Sequence, residues 1–185
     1  MAAPQLRTER LLMRGWQASD RAPFAELNAD RRVMEHFPST MARADSDAFA
    51  DRIQLGFEMH GFGLWAVEVP GEHEFIGFVG LAVPSFDAPF MPAVEVGWRL
   101  AAHAWGHGYA SEAAREALRY GFQEAGLDDI VSFTAPVNTR SVAVMRRIGM
   151  HHDPRGDFDH PRLPEGDPLR RHVLYRISRA EWSAG

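Results

Sequence analysis

The sequence predicts an α/β protein in which a mixed sheet carries helices on its faces. Three observations predict it. Two strand-like runs flank Pro70-Gly71 as a hairpin, and from residue 94 onward strands alternate with helices. In mid-chain the run Trp105-Gly106-His107-Gly108-Tyr109-Ala110-Ser111-Glu112 carries a strand into an alanine-rich helix. A doubly wound dinucleotide fold fits less well, because this turn lacks the G-x-G-x-x-G spacing and does not follow the first strand.

Taken in order, residues 6–16 read as a first strand, with Leu12 and Arg14 beginning an alternation. Ser19 or Asp20 caps a helix through Asn28, and a second helical piece at 31–37 stops at Pro38. Residues 44–60 form an amphipathic helix, since Phe49, Ile53 and Phe57 recur at helical spacing before Gly61 and Gly63. Strands follow at 64–69 and 75–83, then a loop at 84–92 with three prolines, then a fourth strand at 94–100. The helix at 109–125 places Ala110, Ala113, Ala114, Ala117, Leu118, Gly121 and Phe122 on one face, where small residues let it lie close to a sheet. A fifth strand covers 130–135, and Asn138 caps a helix through Ile148 that Gly149 ends. Met150 starts another strand, 153–168 is a long irregular polar loop, and 171–177 is the last strand.

A chain of 185 residues with 45% hydrophobic and 24% charged residues is expected to be one domain, residues 1–185, with a sizeable core. The net charge of −5 argues against a nucleic-acid partner. No cysteine is present, which excludes disulfides, thiolate metal sites and a catalytic thiol and is compatible with a cytoplasmic protein. All 20 basic residues are arginine, so a lysine Schiff base and a Walker-type loop are excluded. Arg7, Glu9 and Arg10 leave no apolar segment for a signal peptide, and no run is long enough for a membrane span.

A glycine-interrupted turn that opens a helix presents unpaired backbone N–H groups in one direction, at the positive end of the helix dipole. Residues 105–111 are therefore a seat for a phosphate or diphosphate.

Three segments together resemble the GNAT superfamily of acyl-CoA-dependent N-acetyltransferases, and within it the branch that acetylates ribosomal-protein N-termini. They are Glu95-Val96-Gly97-Trp98, the turn from Trp105 to Ala110 with Ser111-Glu112-Ala113, and Asn138-x-x-Ser141 followed by Met145 and Ile148-Gly149-Met150. The resemblance implies a mostly antiparallel central sheet of about seven strands, helices on both faces, and fourth and fifth strands that splay apart. It implies acetyl-CoA as cosubstrate, an amine acceptor, no metal, no membrane, and a monomer or homodimer. The leading acceptor it suggests is a protein or peptide N-terminus, with a small amine as the alternative. A weak acyl-CoA-binding sensor is a second class.

By the same resemblance, backbone groups of Val96, Gly97, Trp98, Arg99 and Leu100 bind the pantetheine arm. Trp105, Gly106, His107, Gly108, Tyr109, Ala110 and Ser111 hold the diphosphate, and Asn138, Ser141 and Met145 line the thiol end. One N–H of the fourth strand serves as an oxyanion donor, whose loss costs about 3 kcal/mol. An N-terminal amine, with a pKa of about 8, must lose a proton before attack. Glu95 is the candidate base, acting through water; its other reading is a carboxylate held by an arginine or by solvent. The tyrosine that many members use to protonate the thiolate is replaced by Met145. Ser141 is then the candidate donor, or only a helix-start hydroxyl. His36 and Phe37 near the first helices, and Phe158 and His160 in the late loop, are expected to wall the acceptor pocket with Glu95. His151, His152, Asp157, Asp159 and His160 tempt a metal reading, but adjacent strand residues point to opposite faces and the family needs none.

Overall fold

Alternating apolar residues build one sheet, and the structure, a computed structural model, describes residues 3–184. In chain order the elements are β1 (Leu6–Arg7), β2 (Leu12–Arg14), α1 (Arg21–Ala29), α2 (Arg43–His60), β3 (Leu64–Val69), β4 (His73–Ala82) and β5 (Glu95–Leu100). They continue with α3 (Tyr109–Gln123), β6 (Asp129–Thr134), α4 (Thr139–Arg147), β7 (His151–His152), β8 (Phe158–Asp159), β9 (Arg171–Ser178) and α5 (Arg179–Ala184). The sheet order is β1-β2-β3-β4-β5-β6-β9-β7, with β8 pairing β9. Every pairing is antiparallel except β5 with β6, which is parallel.

Among the described residues the sheet has nine strands where about seven were expected, and two local causes account for the difference. Residues 6–16 are not one strand: Thr8 N–H donates to Leu11 O at 3.0 Å, a turn that pairs Leu6 with Met13 and Arg7 with Leu12. Within the expected irregular loop at 153–168, Phe158–Asp159 pairs with Arg171 and His172. A third departure lies at 31–37, which forms successive turns instead of a helix. Residues 179–184 add a short terminal helix that the periodicity did not reveal.

Helices cover both faces. Phe78 of β4 packs on Phe24 of α1 and Phe49 of α2, at ring distances of 6.0 and 5.8 Å. Leu81, three positions along, points to the opposite face and meets α3, where a Cβ on Gly121 would lie 3.1 Å from Leu81 Cδ1 and 2.7 Å from Ile130 Cδ1. The small buried residues Ala113, Ala114 and Ala117 allow that approach; Ala110, expected on this face, is only half-buried, and Ser111 is buried beside it. At the outer part of the sheet, buried Arg14 is held by Asp20 through two hydrogen bonds of 2.8 and 2.9 Å and by Glu68 at 2.9 Å. This fixes the start of α1 to β2 and β3. No helix among the described residues is long and apolar enough to cross a membrane.

Candidate active site

The parallel strands β5 and β6 share one register pair, Glu95 with Val131, where Val131 N–H donates to Val94 O at 2.9 Å. Beyond that point they diverge and open a cleft of about 1140 Å³. Alternation along β5 sends the backbone of Trp98 toward the open side, since Ala101 N–H points the other way, to Ile76 O at 2.8 Å. Trp98, Leu100, Ser132, Phe133 and Thr134 therefore wall the opening.

At its mouth the chain turns through Trp105, whose indole donates to Leu100 O at 2.8 Å, and then through Gly106 and Gly108, both at φ +83°. That left-handed backbone is open to glycine at no steric cost. It leads into α3, whose first capping bond comes from Glu112 N–H to Gly108 O at 3.0 Å. Among the described residues, the N–H groups of 106–111 donate to no protein acceptor. Six backbone donors at a helix N-terminus on the cleft lining thus keep their bonding capacity free, and such a set suits a diphosphate. The turn is braced from the β1–β2 corner: Arg10 donates to Glu112 at 2.7 Å and to His107 O at 3.0 Å, and Thr8 Oγ1 donates to Glu112 at 2.6 Å. Those bonds hold the Glu112 carboxyl below its usual range against its partial burial.

Glu95 stands at the closed end of the cleft, on the same strand face as Gly97 and Arg99. Its carboxylate lies 3.5 Å from where a Gly97 Cβ would be. Among the described residues it accepts no hydrogen bond and pairs with no cation, and burial pushes it up to about 8. On the opposite wall Asn138 caps α4, accepting from Ser141 N–H at 3.2 Å while its amide donates to Thr134 Oγ1 at 3.0 Å. Ser141 lines the cleft, and among the described residues its Oγ has no hydrogen-bond partner; Met145 completes this wall. Arg140 crosses the mouth: it donates to Glu35 at 2.9 Å and stacks 4.2 Å from the Trp105 ring.

The remaining wall is aromatic. Phe133, His160 and His172 line the cleft, and His160 and His172 lie 5.1 Å apart. Burial, then His172 and Arg162, hold His160 down at about 4, and burial lowers His172 as well.

The acetyltransferase (GNAT) domain family matches residues 10–151. The chain belongs to the GNAT acetyltransferase family. It is 32% identical over 192 residues to an Aspergillus fumigatus protein named FsC-acetyl coenzyme A-N(2)-transacetylase, covering 98% of this chain and 79% of the relative. An acetyltransferase (GNAT family) structure from Bacillus anthracis superposes with a TM-score of 0.79 at 28% identity, covering 96% of this chain and 99% of the other. A ribosomal-protein-S5-alanine acetyltransferase from Vibrio fischeri shares the fold at TM-score 0.74 and 19% identity, covering 97% and 98% of the two chains. This GNAT enzyme is an acetyl-CoA-dependent N-acetyltransferase.

In the GNAT cleft, Glu95, Gly97, Trp98, Arg99, Leu100, the whole turn 105–111, Asn138, Ser141 and Met145 come together, as do His36, Phe37 and His160. Two expected residues do not line it with their side chains. That of Val96 is fully buried in the core, so its expected part rests on its backbone alone. Phe158 is 4% exposed and stands behind the wall, packed on Phe86, Phe90 and Phe133, so it supports His160 instead of facing the cleft. The histidines weighed as metal ligands separate: His152 pairs with Asp157 at 2.9 Å, His151 with Glu181 at 3.3 Å, and His160 joins the aromatic wall. The sequence reading did not identify Glu35, Arg140 or Arg162, whose positions depend on long-range contacts without a local pattern.

Proposed function

We propose that this GNAT enzyme, acting as a single domain, transfers the acetyl group of acetyl-CoA to the primary amine of a small molecule by direct attack within one ternary complex. One observation carries the reading: the free amides of 106–111 and the unpartnered carboxyl of Glu95 lie on one continuous cleft, at its mouth and at its closed end. The small-amine acceptor draws support from the relative named as an N(2)-transacetylase, which matches 98% of the chain. It also draws support from the wall of His160, His172 and Phe133 across the acceptor side. Peptide N-termini, the acceptor suggested by the sequence resemblance, enter the same assay.

In this reading, amides of 107–111 hold the diphosphate and backbone groups of Trp98 and Leu100 hold the pantetheine arm. Asn138, Ser141 and Met145 enclose the thiol end. The Trp98 N–H is the donor to the carbonyl oxygen as charge develops there. Glu95 takes the amine proton, through water, in its ionised form. With methionine at the position of the usual tyrosine, Ser141 Oγ, on the cleft lining, relays to the departing sulfur the proton that the attacking nitrogen gives up as the intermediate collapses. The absence of cysteine removes a thioester intermediate from consideration.

The test is thiol release from acetyl-CoA over a panel of small amines, polyamines, aminoglycosides and peptides, followed by product mass. Release with a mass gain of one acetyl on a small amine is expected. Release confined to peptides would replace the small-amine reading, and CoA binding without release for any amine would favour a sensor.

A further inference from the structure

Arg99 is as buried as Arg14 but differs in what surrounds it. Arg14, 7% exposed, is held by the carboxylates of Asp20 and Glu68. Arg99, 8% exposed, has no carboxylate within ion-pair distance among the described residues. Its Nη1 donates to Asn28 Oδ1 at 2.6 Å, and Asn28 is itself fixed by a bond to Ser46 Oγ at 2.9 Å. Its Nε is buried without a partner. The guanidinium lies 4.2 Å from the Phe37 ring and 5.5 Å from those of Phe49 and Phe78. It is therefore held rigidly, with donor capacity unused and its charge unbalanced. Burial brings it down to about 10, which leaves it protonated at neutral pH.

Arg99 lines the cleft on the strand face it shares with Glu95 and Gly97. This is the face covered by Phe37 and Phe49, whereas the diphosphate turn begins only after Leu100 and carries its own free amides. A second guanidinium lines the same cleft without a carboxylate: Arg162 donates to Ser85 O at 2.6 Å and to Ser85 Oγ at 2.8 Å. The acids lining the cleft are Glu9, Glu95 and Glu112, and Glu112 is taken by Arg10 and Thr8. Neutral imidazoles at His160 and His172 add no negative charge. A positive acceptor wall in a chain of net charge −5 is a local feature and not a reflection of composition.

We propose that Arg99 is the acceptor-binding residue for an anionic group: the substrate is a primary amine that also carries a carboxylate or comparable anion, seated on Arg99 with Arg162 adding to the field. This rests on the acetyltransferase reading and narrows its acceptor.

The experiment compares matched acceptors: glycine, phenylalanine, 4-aminobutyrate and 6-aminohexanoate, each against its carboxamide. The best carboxylate is expected to exceed its amide at least tenfold in kcat/KM. R99M should reduce that ratio to below twofold, and R99K should restore part of it. A ratio near one in the wild type, or a ratio that survives R99M, overturns the proposal while leaving acetyl transfer intact. If no amine turns over, the acetyltransferase reading is what has failed. The anion site is then read without turnover, by calorimetric titration of the CoA-saturated protein with the N-acetylated carboxylates and carboxamides. Carboxylates binding fivefold or more tightly in the wild type but not in R99M support it; equal binding, or none, overturns it. Should R99M not fold, R162M at an exposed position is expected to lower the same ratio at least threefold, and an unchanged ratio there overturns the proposal.

Discussion

Glu95 pairs with Val131 at the one position where β5 and β6 remain in register. The divergence that begins there turns the backbone N–H groups of Trp98 and Leu100 toward the opening, and it places Glu95 at the closed end of the cleft beside them. A strand pair that stayed zipped would have consumed those groups in the ladder.

The pH dependence follows from Glu95. Burial raises its carboxyl to about 8, so it is mostly protonated at pH 7 and cannot accept a proton. Activity limited by this base should rise with pH through about 8 and then level. Glu95→Gln should cost about 100-fold in kcat and flatten that limb, with much less effect on CoA affinity. Linkage gives an independent check. A carboxyl raised on folding binds more protons in the folded state between its ordinary value and about 8, so its contribution to stability falls as pH rises across that window. Denaturant titrations at pH 5 and 9 should show a smaller pH difference in Glu95→Gln than in the wild type.

Gly108 sits at φ +83°, inside the turn whose amides are free. Gly108→Val forces a β-branched residue into that conformation and moves the amides. CoA affinity should fall at least about tenfold, equivalent to about 1.4 kcal/mol, by calorimetry. A circular dichroism melt should show that the fold persists.

Arg140 and Glu35 are both more than half exposed, so their pair contributes about 0–1 kcal/mol to stability. Arg140→Ala should leave the melting temperature nearly unchanged. It removes the stacking on Trp105, and CoA should dissociate about 2–5-fold faster, as the loss of about 0.5–1 kcal/mol implies. Stopped-flow displacement measures this.

The fold was legible where periodicity was strong. Phe49, Ile53 and Phe57 marked α2, and the alanine face marked α3, because burial on one side leaves a regular trace in the sequence. Residues 31–37 misled because several helix-compatible residues precede a proline there, yet the segment buries Val33 and Met34 through successive turns and not through a helix. In the site, the glycine turn and Asn138 were legible since backbone geometry dictates those residues. Phe158 was misplaced because an aromatic in a loop gives no sign of whether it faces a cleft or supports its wall. The isolation of Arg99 was invisible, since it depends on which carboxylates the fold keeps away.

Asp20, buried under Arg14 through two bonds, ties α1 to the sheet. Asp20→Ala leaves the buried guanidinium with Glu68 as its one carboxylate among the described residues, beside the carbonyls of Gly15 and Glu74, and should destabilise the protein by about 3–5 kcal/mol in urea unfolding. Because the acceptor side depends on α1 and the turns after it, activity near the melting point should fall before CoA binding does.

The most direct measurement is a crystal structure with CoA bound. The diphosphate oxygens should lie within about 2.7–3.2 Å of backbone nitrogens among 107–111, with the sulfur near Ser141 and Glu95. A diphosphate seated elsewhere, or those nitrogens bonded to protein acceptors in the complex, would contradict the account.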